Sequence, residues 1–285
     1  MVIIVTGASG QLGMSLQDLA KQYPAFVFHF LSSKDLDITS QENINFVFDA
    51  IQPTFCINTA AYTAVDQAEI DVDQAKLVNI IGARNLAKAC KKYDCQLIHI
   101  STDFVFDGLK ASPYTEVDIP APINVYGQTK LDGEREIASI LEKYFIVRTS
   151  WLYSAYGKNF MKTMLKLASE LNSISVVNDQ FGTPTLADDL ADVLLKMIVF
   201  ATINEAEYGI YHYSNEGKAT WYDFAKAIFT ISDTPIELTA TDSTQFVSLA
   251  KRPKYSVLCK DKIKKNFDIS INSWTSSLQN CITNL

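Results

Sequence analysis

Val2-Ile3-Ile4-Val5-Thr6-Gly7-Ala8-Ser9-Gly10-Gln11-Leu12-Gly13 decides how the rest of the chain is read. Four consecutive β-branched residues predict a strand buried on both faces, and Leu12, Leu16 and Leu19 follow at helical spacing. Between strand and helix the glycines fall as G-x-x-G-x-x-G. Gly7 permits the tight turn, Gly10 lets backbone approach a pyrophosphate, and Gly13 lets helix pack on strand. Gln11 and Leu12 open the helix, whose N-terminus faces the negative charge of such a ligand. A glycine triplet alone marks any tight turn; its place between strand and helix is what points to a dinucleotide.

Further β-branched or aromatic runs at Phe26 to Leu31, Phe55 to Asn58, Gln96 to Ser101 and Phe145 to Arg148 alternate with helical periodicity. That alternation predicts βαβ units on a parallel, doubly wound sheet of Rossmann type. Ala75, Val78, Gly82, Leu86 and Ala89 mark the third helix, with Asp71 and Asp73 at its start and Lys88, Lys91 and Lys92 at its end. Thr39 and Glu42 form a T-x-x-E capping box for the helix before Pro53. After Trp151 the alternation loosens, with helices expected from about Asn159 to Leu171 and from about Ala187 to Ala201. We therefore expect a dinucleotide-binding domain over residues 1–150 and a mainly substrate-binding lobe over 151–285, some segments of which return to the sheet. The cleft between them is the expected site.

The end of the second strand, Ser32-Ser33-Lys34, carries no carboxylate of the kind that binds a ribose 2′-hydroxyl. Two hydroxyls and an ammonium suit a 2′-phosphate, and they suit an ordinary polar turn equally well. Asp37, followed by Ile38, either caps the next helix or approaches the adenine. After the third strand come Ala60, Ala61, Tyr62 and Thr63, small residues that let a flat cofactor lie against backbone. The fourth strand ends Ser101-Thr102-Asp103, where an open α/β sheet places its chemistry. His99, inside that apolar strand, reads as a core histidine.

Tyr126 and Lys130 lie four apart, on one face of a helix. Roughly one Y-x-x-x-K is expected by chance in a chain of this composition, and this one holds two. Tyr222 and Lys226, the second pair, sit on an amphipathic helix with no glycine loop or strand end beside it and read as structural. For the first pair the chemistry is specific. A phenol is a poor proton donor and acceptor near neutrality until a cation stabilises its anion, and Lys130 supplies that cation. Thr102 would offer a hydroxyl to a substrate carbonyl while Tyr126 delivers the proton.

The chain has 285 residues, with 25 basic and 32 acidic side chains and a formal charge of -7. That balance disfavours a general grip on nucleic acid or an anionic membrane. Five cysteines without a C-x-x-C pair point to a reducing, cytoplasmic setting, and three scattered histidines have no metal-ligand spacing.

With the glycine loop, Ser101-Thr102-Asp103 and Tyr126 to Lys130 in this order, the chain resembles the extended short-chain dehydrogenase/reductases. The similarity runs along nearly the whole length, through Asn58 to Glu69, Phe104 to Gly108, Arg148 to Tyr153, Asn178 to Thr185 and Arg252-Pro253. It is strongest to the branch that reduces the 4-keto group of dTDP-4-dehydro-L-rhamnose. The resemblance implies NADPH as donor, with NADH as the alternative, a nucleotide-sugar substrate, and Thr102, Tyr126 and Lys130 as catalytic residues. It implies Asp103 and Trp151 in the sugar site, although an indole at a strand end also serves as core. Arg252 is either a clamp for the diphosphate or an exposed basic turn. Some members hold magnesium through glutamates at a dimer interface. Ser15 stands at that position here, so magnesium is not carried over and monomer and homodimer both stay open. Two other readings remain: another nucleotide-sugar reductase or epimerase of the same fold, and a non-catalytic regulatory subunit like the β subunit of methionine adenosyltransferase.

Overall fold

In the computed structural model, which describes residues 1–246 and 248–285, the first strand, β1 (Val2–Thr6), sends Ile3 and Val5 to one side of a sheet and Ile4 to the other. Both sides are covered, which is why the run is apolar without alternation. The other runs marked in the sequence form β2 (Val27–Leu31), β3 (Phe55–Asn58), β4 (Gln96–Thr102) and β5 (Tyr144–Thr149). One more strand, Gly209–His212, completes the sheet in the order Gly209–His212, β5, β4, β3, β1, β2, with every pairing parallel. This is the expected Rossmann-type α/β sheet. β1 lies between β2 and β3, so the winding reverses there and opens a crevice at the carboxyl ends of the strands.

On one face, Leu12 and Leu16 of α1 (Gln11–Ala20) pack with Leu190, Leu194 and Ile198 of the helix Ala187–Ile203. The C-terminal half of the chain thus supplies both a strand and a covering helix to the first sheet. The opposite face is covered by α2 (Gln41–Ile51), by the helical stretch from Val72 to Lys92, and by the helix Val125–Ile140. The middle of that stretch, Leu77–Gly82, winds as a π-helix. The capping box expected at Thr39 and Glu42 is not formed: Ser40 is the N-cap of α2 and accepts from Asn43 N at 3.2 Å. Thr39 instead donates its hydroxyl to Asp37 Oδ1 at 2.7 Å, so the turn before the helix claims it. The rest of the C-terminal half builds a second core of Ile174, Val176, Phe224, Ile228 and Leu278, around a parallel pair formed by Ser173–Val177 and Glu237–Thr241.

One buried ion pair ties helix to sheet. Arg148 of β5 grips Glu134 of the helix Val125–Ile140 with two bonds, Nε to Oε1 at 2.9 Å and a terminal nitrogen to Oε2 at 2.6 Å. Ser101 of β4 donates to the same carboxylate at 2.5 Å, and the guanidinium lies over the Phe106 ring. Both side chains are about 2–3% exposed, so removing one partner strands a charge in the core. Arg148→Met is expected to cost about 3–5 kcal/mol, read as a lower urea midpoint at unchanged slope.

Candidate active site

The carboxyl ends of β1, β3, β4 and β5 open into one cavity of about 880 Å³, large enough for a cofactor together with part of a substrate. Gly7, Gly10, Gln11 and Leu12 line it. Gly7 sits at φ +66°, and a Cβ there would lie 2.7 Å from Ala60 N, so the loop and the end of β3 touch through bare backbone. Gly13 is set back from the cavity. A Cβ on it would meet Gly7 O at 2.6 Å, which makes its smallness a packing requirement between helix and loop. No side chain caps α1, so the N–H groups of its first turn remain available to an anion.

Ser33, Asp37, Ile38, Ala60, Ala61 and Thr63 line the same cavity. Ser32 does not: its hydroxyl donates to Asp35 Oδ2 at 2.6 Å. Asp37 lines the cavity and does not cap the helix, its carboxylate accepting from Thr39 N at 2.9 Å in the turn before the Ser40 cap. Tyr62 also stands outside the lining, its N–H donating to Asn79 Oδ1 at 2.9 Å and its hydroxyl to Asp71 Oδ2 at 3.0 Å.

Thr102, Asp103, Tyr126 and Lys130 line the same cavity, as do Thr149, Ser150 and Trp151. Asn124 caps the helix by accepting from Gly127 N at 2.7 Å, and Gly127 is obligatory because a Cβ would lie 2.1 Å from Phe104 O. That close approach brings Tyr126 beside Thr102. The Thr102 hydroxyl donates to Asp103 Oδ1 at 3.2 Å, while Asp103 Oδ2 is buried without a partner among the described residues. Burial pushes the Asp103 carboxyl up to about 7, against hydrogen bonds from Ser256 and Thr102.

The relation between phenol and ammonium differs from the sequence-based expectation. Desolvation pushes Tyr126 up to about 12, with the Thr102 hydroxyl offsetting part of the shift and Asp103 adding to it. Lys130 Nζ donates to the Ile100 carbonyl at 2.6 Å and faces His99 Nε2 at 3.2 Å. Burial pulls Lys130 down to about 8, opposed by Glu134. The phenol therefore keeps its proton across neutral pH, and the lysine is the group that gives one up more readily.

Trp151 lines the cavity with its backbone at φ +47°. Its ring stacks on Trp221 at 3.6 Å and 9°, and Gly182 leaves the space for it, since a Cβ there would come within 2.5 Å of the indole. Trp221 belongs to the helix of the second Y-x-x-x-K pair, where Tyr222 packs on the second core and Lys226 is exposed. Arg252 lies outside the cavity, its guanidinium paired with Asp66 at 2.7 Å and bonded to Ser248. Sequence reasoning missed Lys158 and Asn159, which also line the cavity. Asn159 caps the following helix and donates to Gln11 Oε1 at 2.9 Å, laying its loop beside the glycine turn. Only its capping pattern is visible in the sequence.

The family model described as RmlD substrate binding domain matches residues 1–285. The chain belongs to this family. It is 40% identical to the dTDP-4-dehydrorhamnose reductase of Aggregatibacter actinomycetemcomitans, over 98% of this chain and 97% of that protein. It is 37% identical to the dTDP-4-keto-6-deoxy-D-glucose reductase of Streptomyces niveus, over 96% of this chain and 94% of that one. Among solved structures, the dTDP-4-dehydrorhamnose reductase of Bacillus anthracis in complex with NADP matches with a TM-score of 0.94 at 40% identity, covering 100% of this chain and 99% of that one.

For this member of the family, the raised Asp103 sets a pH dependence of stability. The folded chain holds a proton up to about 7 that the unfolded chain releases near 3.8, so stability falls as pH rises between those values and is level above them. Asp103→Asn removes the effect. Urea unfolding is expected to show wild type losing about 2–4 kcal/mol more than the variant between pH 4 and pH 7.5.

Proposed function

We propose that this chain reduces the 4-keto group of dTDP-4-dehydro-L-rhamnose to give dTDP-L-rhamnose, using NADPH, with NADH as an alternative donor. The observation that carries the reading is the convergence of Thr102, Tyr126 and Lys130 in one cavity with an uncapped helix N-terminus and its glycine loop. Full-length similarity to named reductases supports the substrate class. The site fits a dinucleotide: the bare backbone at Gly7 and Gly10 and the free N–H groups of α1 suit a pyrophosphate, and Ser33, Asp37 and Ile38 stand where the adenosine end would lie. Ala60, Ala61 and Thr63 offer the flat wall along β3. The bound cofactor supplies the hydride.

Residues 1–150 accordingly serve mainly the dinucleotide and residues 151–285 mainly the sugar nucleotide. Thr102 orients the ketone by donating its hydroxyl to the carbonyl oxygen, and Trp151, braced by Trp221, forms the wall against the sugar. Reduction leaves an alkoxide oxygen that needs a proton inside a closed site. Tyr126 donates it. A phenol held near 12 is fully protonated at neutral pH and is ready as an acid, and Lys130 is placed to restore the charge balance. Asp103, which lines the cavity beside Thr102, would accept from a sugar hydroxyl.

NADPH oxidation measured across nucleotide-linked 4-keto sugars tests the substrate. Turnover is expected with dTDP-4-dehydro-L-rhamnose. Equal or faster turnover of dTDP-4-keto-6-deoxy-D-glucose would move the chain to the second reading, which the Streptomyces relative supports. Tyr126→Phe removes one hydroxyl and is expected to lower turnover by a factor on the order of 10² to 10⁴ with NADPH binding intact. Tyr222→Phe, in the second copy of the motif, is the control and should keep near-normal turnover. Trp151→Ala is expected to raise the KM for the sugar nucleotide at least about tenfold, the equivalent of about 1.4 kcal/mol. Its NADPH dissociation constant should change little, which equilibrium fluorescence titration reads directly.

A further inference from the structure

His99 is 1% exposed and its sequence context reads as core, yet its ring bridges two polar groups. On one side Asn58 Nδ2 lies 2.9 Å from Nδ1, and on the other Lys130 Nζ lies 3.2 Å from Nε2. The orientation of the Asn58 amide is settled by its other contacts. Ala60 N–H donates to Asn58 Oδ1 at 3.2 Å and the Thr6 hydroxyl donates to it at 2.6 Å. A backbone N–H only donates, so the oxygen faces Ala60 and the amide nitrogen faces His99. That nitrogen donates in turn, and Nδ1 must accept. A neutral imidazole whose Nδ1 is an acceptor carries its single proton on Nε2, pointed at Lys130.

We propose that His99 is a positioning residue that stabilises the uncharged form of Lys130 and so sets the pH at which the lysine loses its charge in the cavity it shares with Tyr126. The inference rests on the reductase reading above. An Nε2–H facing an ammonium sets donor against donor, whereas the same N–H facing a neutral amine finds a lone pair. The proton balance is simple. The Tyr126 Oη–H bond breaks as the substrate O–H bond forms, and a proton from solvent restores Tyr126 Oη–H once the product has left. When Lys130 loses its proton to solvent, the electron pair left on Nζ accepts the His99 Nε2–H.

The surroundings agree. Burial and the charge of Lys130 hold His99 well below its ordinary value, so the ring is neutral. Lys130 is also faced by the Ile100 carbonyl from β4 and by Glu134 on its own helix. Glu134 is already committed to Arg148 of β5 and Ser101 of β4. Tyr126 and Asp103 line the same cavity as Lys130.

Two measurements test this. Long-range 1H–15N spectra of the uniformly labelled full chain, which has three histidines, report the tautomer without turnover or bound ligand. His99, assigned by its loss in His99→Gln, is expected as the neutral Nε2–H form. An Nδ1–H form, or a charged ring at neutral pH, overturns the proposal. The second measurement is the alkaline limb of kcat in the NADPH-driven reaction. His99→Phe removes the donor, so Lys130 should hold its proton longer and the limb should move up by about half to one pH unit. His99→Gln places an amide N–H near the same point and should return the limb to within about 0.2 units of wild type. An unmoved limb in a folded His99→Phe chain, or equal movement in both variants, counts against it. Should His99→Phe not fold, the wild-type tautomer decides. A chain that shows the Nε2–H tautomer but reduces no nucleotide sugar would refute the reductase reading and leave the His99 geometry standing.

Discussion

The grip of Arg148 on Glu134 holds the helix of Tyr126 and Lys130 to the sheet. A carboxylate and a guanidinium buried at 2–3% exposure are tolerated only because each is bonded on several sides. Glu134 takes two bonds from Arg148 and one from Ser101, so one helix, β4 and β5 meet at a single point. Tyr126 and Lys130 lie two turns and one turn before Glu134 on the same helical face. Their height above β4 follows from where that carboxylate is held. Apolar packing alone would leave the helix more freedom to slide, since such contacts are non-directional.

The same helix is held from its outer side by close backbone approach. Gly133 lies against the Asn79 carbonyl, where a Cβ would come within 2.2 Å. Asn79 belongs to the π-helical turn Leu77–Gly82, and its side chain accepts from Tyr62 N and donates to Tyr62 O and Thr129 Oγ1. The wider turn thus lets one asparagine tie the loop after β3 to the helix of Tyr126 and Lys130, a use of π geometry that recurs at functional sites. The wall expected to carry the dinucleotide and the helix expected to carry the proton donor are consequently tied to one another.

Polar burial has a cost that falls mainly on the site. Lys130 is pulled down and Asp103 pushed up because the low-dielectric interior disfavours their charged forms. Each displaced proton affinity lowers stability over part of the pH range while placing a group near the pH at which proton transfer is useful. His99 is buried with them and is kept neutral. The Arg148–Glu134 pair beside them is fully bonded and structural, which separates the two kinds of buried charge in this core.

The sequence by itself determined the elements whose cause is local. An unbroken β-branched run, a glycine triplet at three-residue spacing and leucines at helical spacing specify strand, turn and helix within 20 residues. The five strands it marked agree with the structure to within a residue at each end, and the i, i+4 placement of Tyr126 and Lys130 needs only helical geometry. Contacts between distant segments left no such mark. Gly209–His212 is four residues long and opens on a glycine, too short for periodicity to register, and it becomes a strand because β5 offers an unpaired edge. Lys158 joins the cavity, and Trp221 stacks behind Trp151, only because the second lobe folds back on the first, whereas Arg252, equally basic in sequence, is taken up by Asp66. Proton affinities were the least legible feature. Lys130 was expected to lower the Tyr126 phenol, and the fold instead buries the phenol and gives the ammonium to Ile100 and His99. Desolvation is a property of everything packed around a group, and that is assembled only when segments far apart in the chain come together.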